Sequence, residues 1–348
     1  MPHALRVALI GHGSVGQAVH APLISSTHDL VLSLVGSRQI EAVQQRWPQA
    51  RVCADYLAAA TDAQVDLVVI ATPNDSHYPL AAAALRAGKH VVIDKPFTVT
   101  LQEARDLVEL AQQRGRLLSV FHNRRWDGDF LSLRQAVGSG ALGDVRELVS
   151  RFDRFEPTPR DRWRERPGPG AGLWYDLGPH LIDQALVLFG PPATVTADLA
   201  CLRDGAESTD YAQVVLGYAQ RRVTLHCSRL NAWAAARFEA HGTAGSFVSH
   251  GLDVQEGQLK AGMVPGAPGW GVDARPTLLQ RGGQAVEEHA RLAGDYRQYY
   301  LGVRDAILYG SANPVPAGEA LQVMAVLDCA LRSAEQGLTL HFEPVLLP

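Results

Sequence analysis

Apolar positions in the first third of the chain fall in short, almost unbroken runs, and the stretches between them carry helical spacing. Residues 5–10 form the first such run, 14–26 read as a helix, and 30–36 form a second apolar run. The alternation continues with a helix over 39–46, a short strand at 51–53, a strand over 65–71, a helix over 77–87 and a strand over 90–94. A helix over 100–114 and a strand over 117–121 complete it. Strands that are apolar at nearly every position are buried on both faces, as parallel strands joined by crossover helices are. The pattern therefore predicts an α/β, doubly wound parallel sheet of the Rossmann type over residues 1–122.

Beyond residue 122 polar, Arg-rich and Trp-containing segments appear, then a Pro/Gly cluster at 167–172, then consecutive runs of strand character. Strands are expected at 145–155, 194–203, 211–219, 222–230, 236–241 and 246–249, joined by turns, which favours a large, mainly antiparallel sheet. Helices at 130–138, 179–189, 295–309 and 318–336 would cover one face of it, and the Gly/Pro-rich stretch 257–285 reads as a long loop. Residues 123–348 are thus expected to form an α+β domain with a large open, mainly antiparallel sheet.

Composition narrows the function. A formal charge of −4, from 32 basic and 36 acidic residues among 348, gives no global positive field to draw nucleic acid or a membrane, so a small molecule is the expected partner. Cys53, Cys201, Cys227 and Cys329 are scattered without metal or disulfide spacing, so no metal is expected. No apolar run approaches the roughly 20 residues needed to cross a bilayer, and the first apolar run is strand-length, unlike a signal peptide. A cytoplasmic protein is expected.

Gly11-His12-Gly13-Ser14-Val15-Gly16 matches G-x-G-x-x-G between an expected strand and an expected helix. In that setting the first glycine permits the turn, the second lets backbone approach a diphosphate, and the third allows helix and strand to pack closely. Helix N-terminal amides at Ser14 and Val15 would hold the diphosphate. The tip of the second strand reads Gly36-Ser37-Arg38, with no carboxylate to grip a ribose 2′-hydroxyl. A hydroxyl and a guanidinium there suit a 2′-phosphate, so NADP is the expected cofactor, with NAD possible. Arg46 lies further along the helix and competes poorly. After the 65–71 strand, Thr72, Pro73, Asn74 and His77 fall at the crevice, although Asn74 and Ser76 equally suit helix N-caps and His77 a packing role.

The 90–94 strand ends in Asp94-Lys95-Pro96, which puts Lys95 at the same sheet edge. Its ammonium could stabilise the alkoxide formed as hydride leaves a carbinol carbon, and Pro96 restricts where it points, a cis bond included. A surface lysine is the plainer reading. In the second half, Asp176 and His180 stand i,i+4 at the expected entrance of a helix, with Pro179 near its first turn. A carboxylate beside imidazole would orient it and support its protonated form, as suits a general base, while capping and packing remain the alternative.

Together these segments resemble the Gfo/Idh/MocA oxidoreductases over nearly the whole chain. The resemblance is carried by Thr72-Pro73-Asn74 with His77, Ala87-Gly88-Lys89-His90-Val91, and Asp94-Lys95-Pro96, where Asp94 replaces the commoner Glu. It implies an NADP-binding Rossmann domain over 1–122, a substrate-binding and oligomerisation domain with an open sheet over 123–348, and catalytic roles for Lys95, Asp176 and His180. The segments Leu118–Asp127, Arg162-Trp163-Arg164-Glu165 and Tyr175-Asp176-Leu177-Gly178 look most like NADP-dependent scyllo-inositol 2-dehydrogenases. A polyol or sugar substrate is then implied, and Asn123, Arg124, Asp153, Trp163, Tyr175 and His180 are the expected walls of its site. Alternatives are a non-catalytic dinucleotide sensor of the same fold, or an oxidoreductase acting on a dihydrodiol or tetrapyrrole. The open sheet needs a cover, so a homodimer or homotetramer is expected.

Overall fold

The protein is described by a computed structural model covering residues 4–345. Six parallel strands form the first sheet: β1 (Leu5–Ile10), β2 (Leu30–Gly36), β3 (Arg51–Cys53), β4 (Leu67–Ile70), β5 (His90–Ile93) and β6 (Leu118–Val120). Their spatial order is β3-β2-β1-β4-β5-β6, so the chain reverses direction across the sheet between β1 and β4. Every residue of β4 is fully buried because helices cover both faces, which is why its sequence is unbroken Leu-Val-Val-Ile. The helix Leu101–Arg114 is bounded by local chemistry. Thr100 and Glu103 form a reciprocal capping box, and Gly115 closes the far end in the left-handed conformation.

Nine strands form the second sheet: β7 (Val145–Arg151), β8 (Thr194–Ala200), β9 (Tyr211–Tyr218), β10 (Arg221–Ser228), β11 (Ala236–Gly242), β12 (Gly245–His250), β13 (Thr277–Arg281), β14 (Glu287–His289) and β15 (Leu340–His341). The order is β14-β13-β12-β11-β7-β10-β9-β8-β15, antiparallel except for the central β7–β10 pair. In β10, Val223, Leu225 and Cys227 point into the core while Arg222, Thr224 and His226 face outward, the alternation of a sheet covered on one side.

Several boundaries and one assignment differ from the sequence pattern. The helix expected over 14–26 runs from Ser14 to Ser25, and within it Gly16–His20 is wound wider, in π-type geometry, just before Pro22, which has no N–H to donate one turn back. The 257–285 stretch is not one loop. A helix, Gln255–Lys260, runs into its start and β13 pairs with β12, both too short to show a period. The short helix Tyr56–Ala60, capped by Asp55, and strands β14 and β15 also escaped the pattern. The helix expected at 179–189 begins at Leu173, so Pro179 lies inside it.

The helix Arg297–Tyr309 does not cover the second sheet. Its Tyr299, Tyr300 and Val303 pack with Leu9, Val35 and Val69 against the first. The helix Ala317–Gln336 joins both cores, with Leu321 and Met324 against the parallel sheet and Val326 and Leu327 against the open one. An amphipathic pattern says that a face is buried, not against which neighbour.

Candidate active site

β1, β4 and β5 end in adjacent loops carrying Gly11, Ala71 and Asp94, where the crevice of the parallel sheet opens. Gly11 has φ +100°, and a Cβ there would lie 2.5 Å from the Ala71 carbonyl oxygen. A Cβ on Gly16 would meet the Gly11 oxygen at 2.1 Å, so only hydrogen fits. Gly13 is different. Nothing lies within 4 Å of the position its Cβ would take, leaving the open, amide-lined cradle that a dinucleotide diphosphate needs. Ser14, Val15, Ser37, Arg38, Thr72, Pro73 and Asp94 line the same crevice, together with Gly11 and Gly13. These residues fit a nicotinamide dinucleotide.

Asn74 and His77 stand behind that wall. Asn74 Nδ2 donates to the Gly170 carbonyl at 2.8 Å, tying the loop after β4 to the second half of the chain. His77 is buried between the carbonyls of Pro96 and Thr72, 2.9 and 3.0 Å from its ring nitrogens, and so joins the loops after β4 and β5. His12 went unnoticed in the sequence. It is 5% exposed, has no partner for either ring nitrogen among the described residues, and faces the crevice that Ser37 and Arg38 line. Burial, and then the charge of Arg46, hold its pKa below 6.5. Its place as the x of G-x-G, in the loop after β1, was the available signal.

The crevice continues inward. Ser14, Val15, Asp94 and Arg164 border both it and a second cleft, lined by Lys95, Asn123, Arg124, Asp176 and His180. The tip of β5 thus meets the helix Leu173–Phe189. Lys95, joined to Pro96 by a cis peptide, places Nζ 2.9 Å from Asp176 Oδ1 and 2.6 Å from the Asp176 carbonyl. Pro179 has no N–H for the helix ladder, and next to that break the Asp176 carbonyl turns to the lysine. Burial opposes charge on Asp176, but Lys95 and then Arg164 outweigh it and hold the carboxyl well below the usual range.

His180 is not oriented by Asp176, contrary to the reading from spacing. Lys95 takes the carboxylate, with Arg229 and Arg164 at 3.6 and 3.7 Å. The imidazole is 5% exposed and stacks on Phe152, centroids 6.5 Å apart and planes 21° apart, and its Nδ1 is buried without a partner among the described residues. Burial, then the positive charges of Arg124 and Lys95, push its pKa well below 6.5. The ring is therefore neutral, not held as imidazolium.

Arg124 is fixed by Asp127 at 3.2 Å and Glu256 at 2.8 Å. Trp163 lines the outer crevice instead of the cleft, with Arg164 4.7 Å over its ring. Asp153 and Tyr175 do not reach the cleft. Asp153 is held by His226 and Asn231, and the Tyr175 hydroxyl donates to the Val99 carbonyl at 3.0 Å. Arg154, Arg162, Glu256 and Lys260 also line the cleft and were not among its expected walls, the last two because the short helix carrying them was invisible as a period.

Residues 5–122 match the oxidoreductase family's NAD-binding Rossmann fold, and residues 134–342 match its C-terminal alpha/beta domain. The chain belongs to the Gfo/Idh/MocA oxidoreductase family. It is 50% identical over 343 residues to the Escherichia coli protein described as uncharacterized oxidoreductase YdgJ, covering 98% of this chain and 99% of that one. It is 34% identical over 344 residues to the Bacillus subtilis protein named scyllo-inositol 2-dehydrogenase (NADP(+)) IolW, covering 97% and 96%. A solved oxidoreductase structure from Klebsiella pneumoniae superposes with a TM-score of 0.93 at 50% identity, over 98% of this chain and 96% of that one. This Gfo/Idh/MocA member is accordingly an NAD(P)-binding oxidoreductase. Among the described residues, no helix is long and apolar enough to cross a membrane.

Proposed function

We propose that the protein is an NADP-dependent dehydrogenase acting between the carbinol and carbonyl forms of a cyclitol or sugar, of the scyllo-inositol 2-dehydrogenase kind. The observation that carries this reading is the convergence of Lys95, Asp176 and His180 on one cleft that continues into the glycine-lined crevice. The strand tip Gly36-Ser37-Arg38, without a carboxylate, favours the phosphorylated cofactor, as does the NADP(+) in the name of the 34% identical Bacillus subtilis relative. Residues 1–122 would hold the cofactor, with the substrate domain from 123. Bound NADP supplies the ring carbon that exchanges hydride with the substrate.

The side chains divide the remaining work. His180, neutral and with Nδ1 buried, leaves Nε2 to take the proton of the reacting hydroxyl. Lys95 donates a hydrogen bond to the same oxygen and stabilises its negative charge, and Asp176 holds the ammonium in position. Asn123 and Arg124 present donors to neighbouring hydroxyls. In the reducing direction His180 returns the proton to that oxygen while Lys95 polarises the carbonyl. The protein would work in the cytoplasm as a homodimer or homotetramer, its open sheet face covered by a second copy. The test is initial rates with NADP against NAD across several inositols and aldoses, followed by His180→Ala. Turnover should collapse in the variant while NADPH affinity survives; loss of both, or of neither, would contradict the assignment.

A further inference from the structure

Six cationic side chains and three carboxylates line the inner cleft, and most of the cations are spoken for. Lys95 is paired with Asp176, Arg162 with Glu165 and Glu156, and Arg124 and Lys260 with Glu256. Arg164 has only a 3.7 Å approach to Asp176, whose carboxylate Lys95 already holds. Arg154 stands out further. Among the described residues its guanidinium makes no ion pair and no hydrogen bond, and it lies 5.3 Å from the centroid of Phe152, the ring that stacks on His180.

We infer that the inner cleft takes a polyol bearing a negatively charged oxyacid group, a carboxylate or a phosphate, which Arg154 binds beside the reacting carbinol with Arg164 assisting. The inference rests on the polyol dehydrogenase reading above. A neutral polyol would accept hydrogen bonds from the two guanidiniums but leave Arg154 without a directly paired negative charge, whereas an oxyacid group matches the guanidinium fork and strengthens each bond by its charge. The cofactor's own phosphates do not account for Arg154. Arg164 borders both cavities, but Arg154 lines the inner cleft and not the crevice around Gly13 and Arg38. Arg154 also borders an outward groove over Asn231 and Trp233, which puts the charged end of the substrate toward the mouth of the site.

The test compares neutral and charged members of one series with the full-length protein and NADP: D-glucose and scyllo-inositol, D-gluconate and D-glucuronate, and D-glucose 6-phosphate, each at 20 and 300 mM NaCl. At least one charged compound should exceed its neutral counterpart in kcat/KM by about 10-fold, with the advantage shrinking in high salt. The carboxylate and phosphate arms tell the two sources of charge apart. Arg154→Gln should raise KM for the charged substrate about 10- to 100-fold, at least 10-fold more than for the neutral one, and Arg154→Lys should restore part of the difference. A second readout needs no turnover. Titrating gluconate or glucose 6-phosphate into the protein–NADPH complex should shift nicotinamide fluorescence, and Arg154→Gln should weaken that binding by the same factor. Preference for the neutral compounds, equal losses on both classes, or a loss confined to NADPH affinity would overturn the inference. If no polyol of either charge alters NADPH absorbance, the dehydrogenase reading falls by itself, and the fluorescence titration alone decides the anion site.

Discussion

Lys95 and Asp176, one from each sheet domain, meet in the cleft through two contacts, the ammonium on the carboxylate at 2.9 Å and on the backbone carbonyl of the same aspartate at 2.6 Å. Their side chains are 11% and 18% exposed. The pair ties the tip of β5 to the helix Leu173–Phe189, so it joins the domains as well as arming the site. Removing one partner of such a buried pair costs about 3–5 kcal/mol in general, and Arg164 and Arg229 within 3.7 Å of Asp176 should bring this case to the lower end. Lys95→Met is expected to lower turnover about 10²- to 10³-fold, to reduce Tm by several degrees, and to leave NADPH affinity within a few-fold. Adding Asp176→Leu should restore part of the Tm and none of the turnover, as calorimetry and steady-state kinetics would measure. A Lys95→Met protein with unchanged turnover would remove the lysine from the chemistry.

Two glycines of the same loop should respond oppositely. Gly13→Ala enters free space in the protein itself, so its Tm should stay within a few degrees while NADPH affinity falls at least 10-fold, because the added methyl fills the diphosphate cradle. Gly16→Ala meets the Gly11 oxygen at 2.1 Å and should lower stability by several kcal/mol or prevent folding. Thermal melts and fluorescence titration on the two variants separate the effects. Equal behaviour would mean the loop geometry is not as described.

Cofactor choice should lie at the tip of β2. Ser37→Asp with Arg38→Ala introduces a carboxylate and removes the guanidinium, and is expected to move the NADP/NAD ratio of kcat/KM toward NAD by about 10²-fold. His12→Ala should weaken NADPH binding more than NADH binding, since this unpartnered ring faces the Ser37 and Arg38 end of the crevice. Parallel titrations with the two reduced cofactors measure both effects. Equal loss on both cofactors would take His12 out of the 2′-phosphate site.

The pH dependence follows from buried histidines. His180 has its pKa held well below 6.5 by burial and by Arg124 and Lys95, so the proton-accepting form persists into acid. kcat/KM for alcohol oxidation should therefore hold down to pH 6.5 and begin to fall only below it. Arg124→Gln removes one of the opposing charges and should move that acid limb upward.

Stability has a matching window. Burial pushes His122 down to about 4 from 6.5, so the folded chain resists a proton that the unfolded chain accepts. The stabilisation is complete above pH 6.5 and is lost as pH falls toward 4, by roughly 3 kcal/mol for this residue. Asp176, whose pKa is depressed, loses its contribution only below the ordinary carboxylate range. A Tm profile between pH 7 and 4 should slope downward, and His122→Phe should flatten it. An unchanged slope would rule out His122 as a source.

How legible the chain was depends on how local each feature is. The boundaries of Leu101–Arg114 could be read because Thr100, Glu103 and Gly115 act within a turn of themselves. Lys95 was readable as a crevice residue because a strand end in a parallel sheet always faces the same edge. Asp153 and Tyr175 were not, since polarity near a site does not say which way a side chain turns. Asp153 goes to His226 and Tyr175 to Val99. The role of Asp176 was misread for the same reason: i,i+4 spacing puts it on the face of His180, but a lysine from 81 positions earlier reaches it.

From its own residues the chain determines the doubly wound sheet, the glycine loop and the absence of a carboxylate after Gly36, because these follow from periodicity and backbone sterics within a few positions. Only the tertiary structure decided that the helix Arg297–Tyr309 packs against the first sheet, that Arg124 and Lys95 bring positive charge to His180, and that Arg154 has no ion-pair partner among the described residues. Those outcomes depend on which distant surfaces come together and exclude water, and burial and charge act through space without regard to separation along the chain.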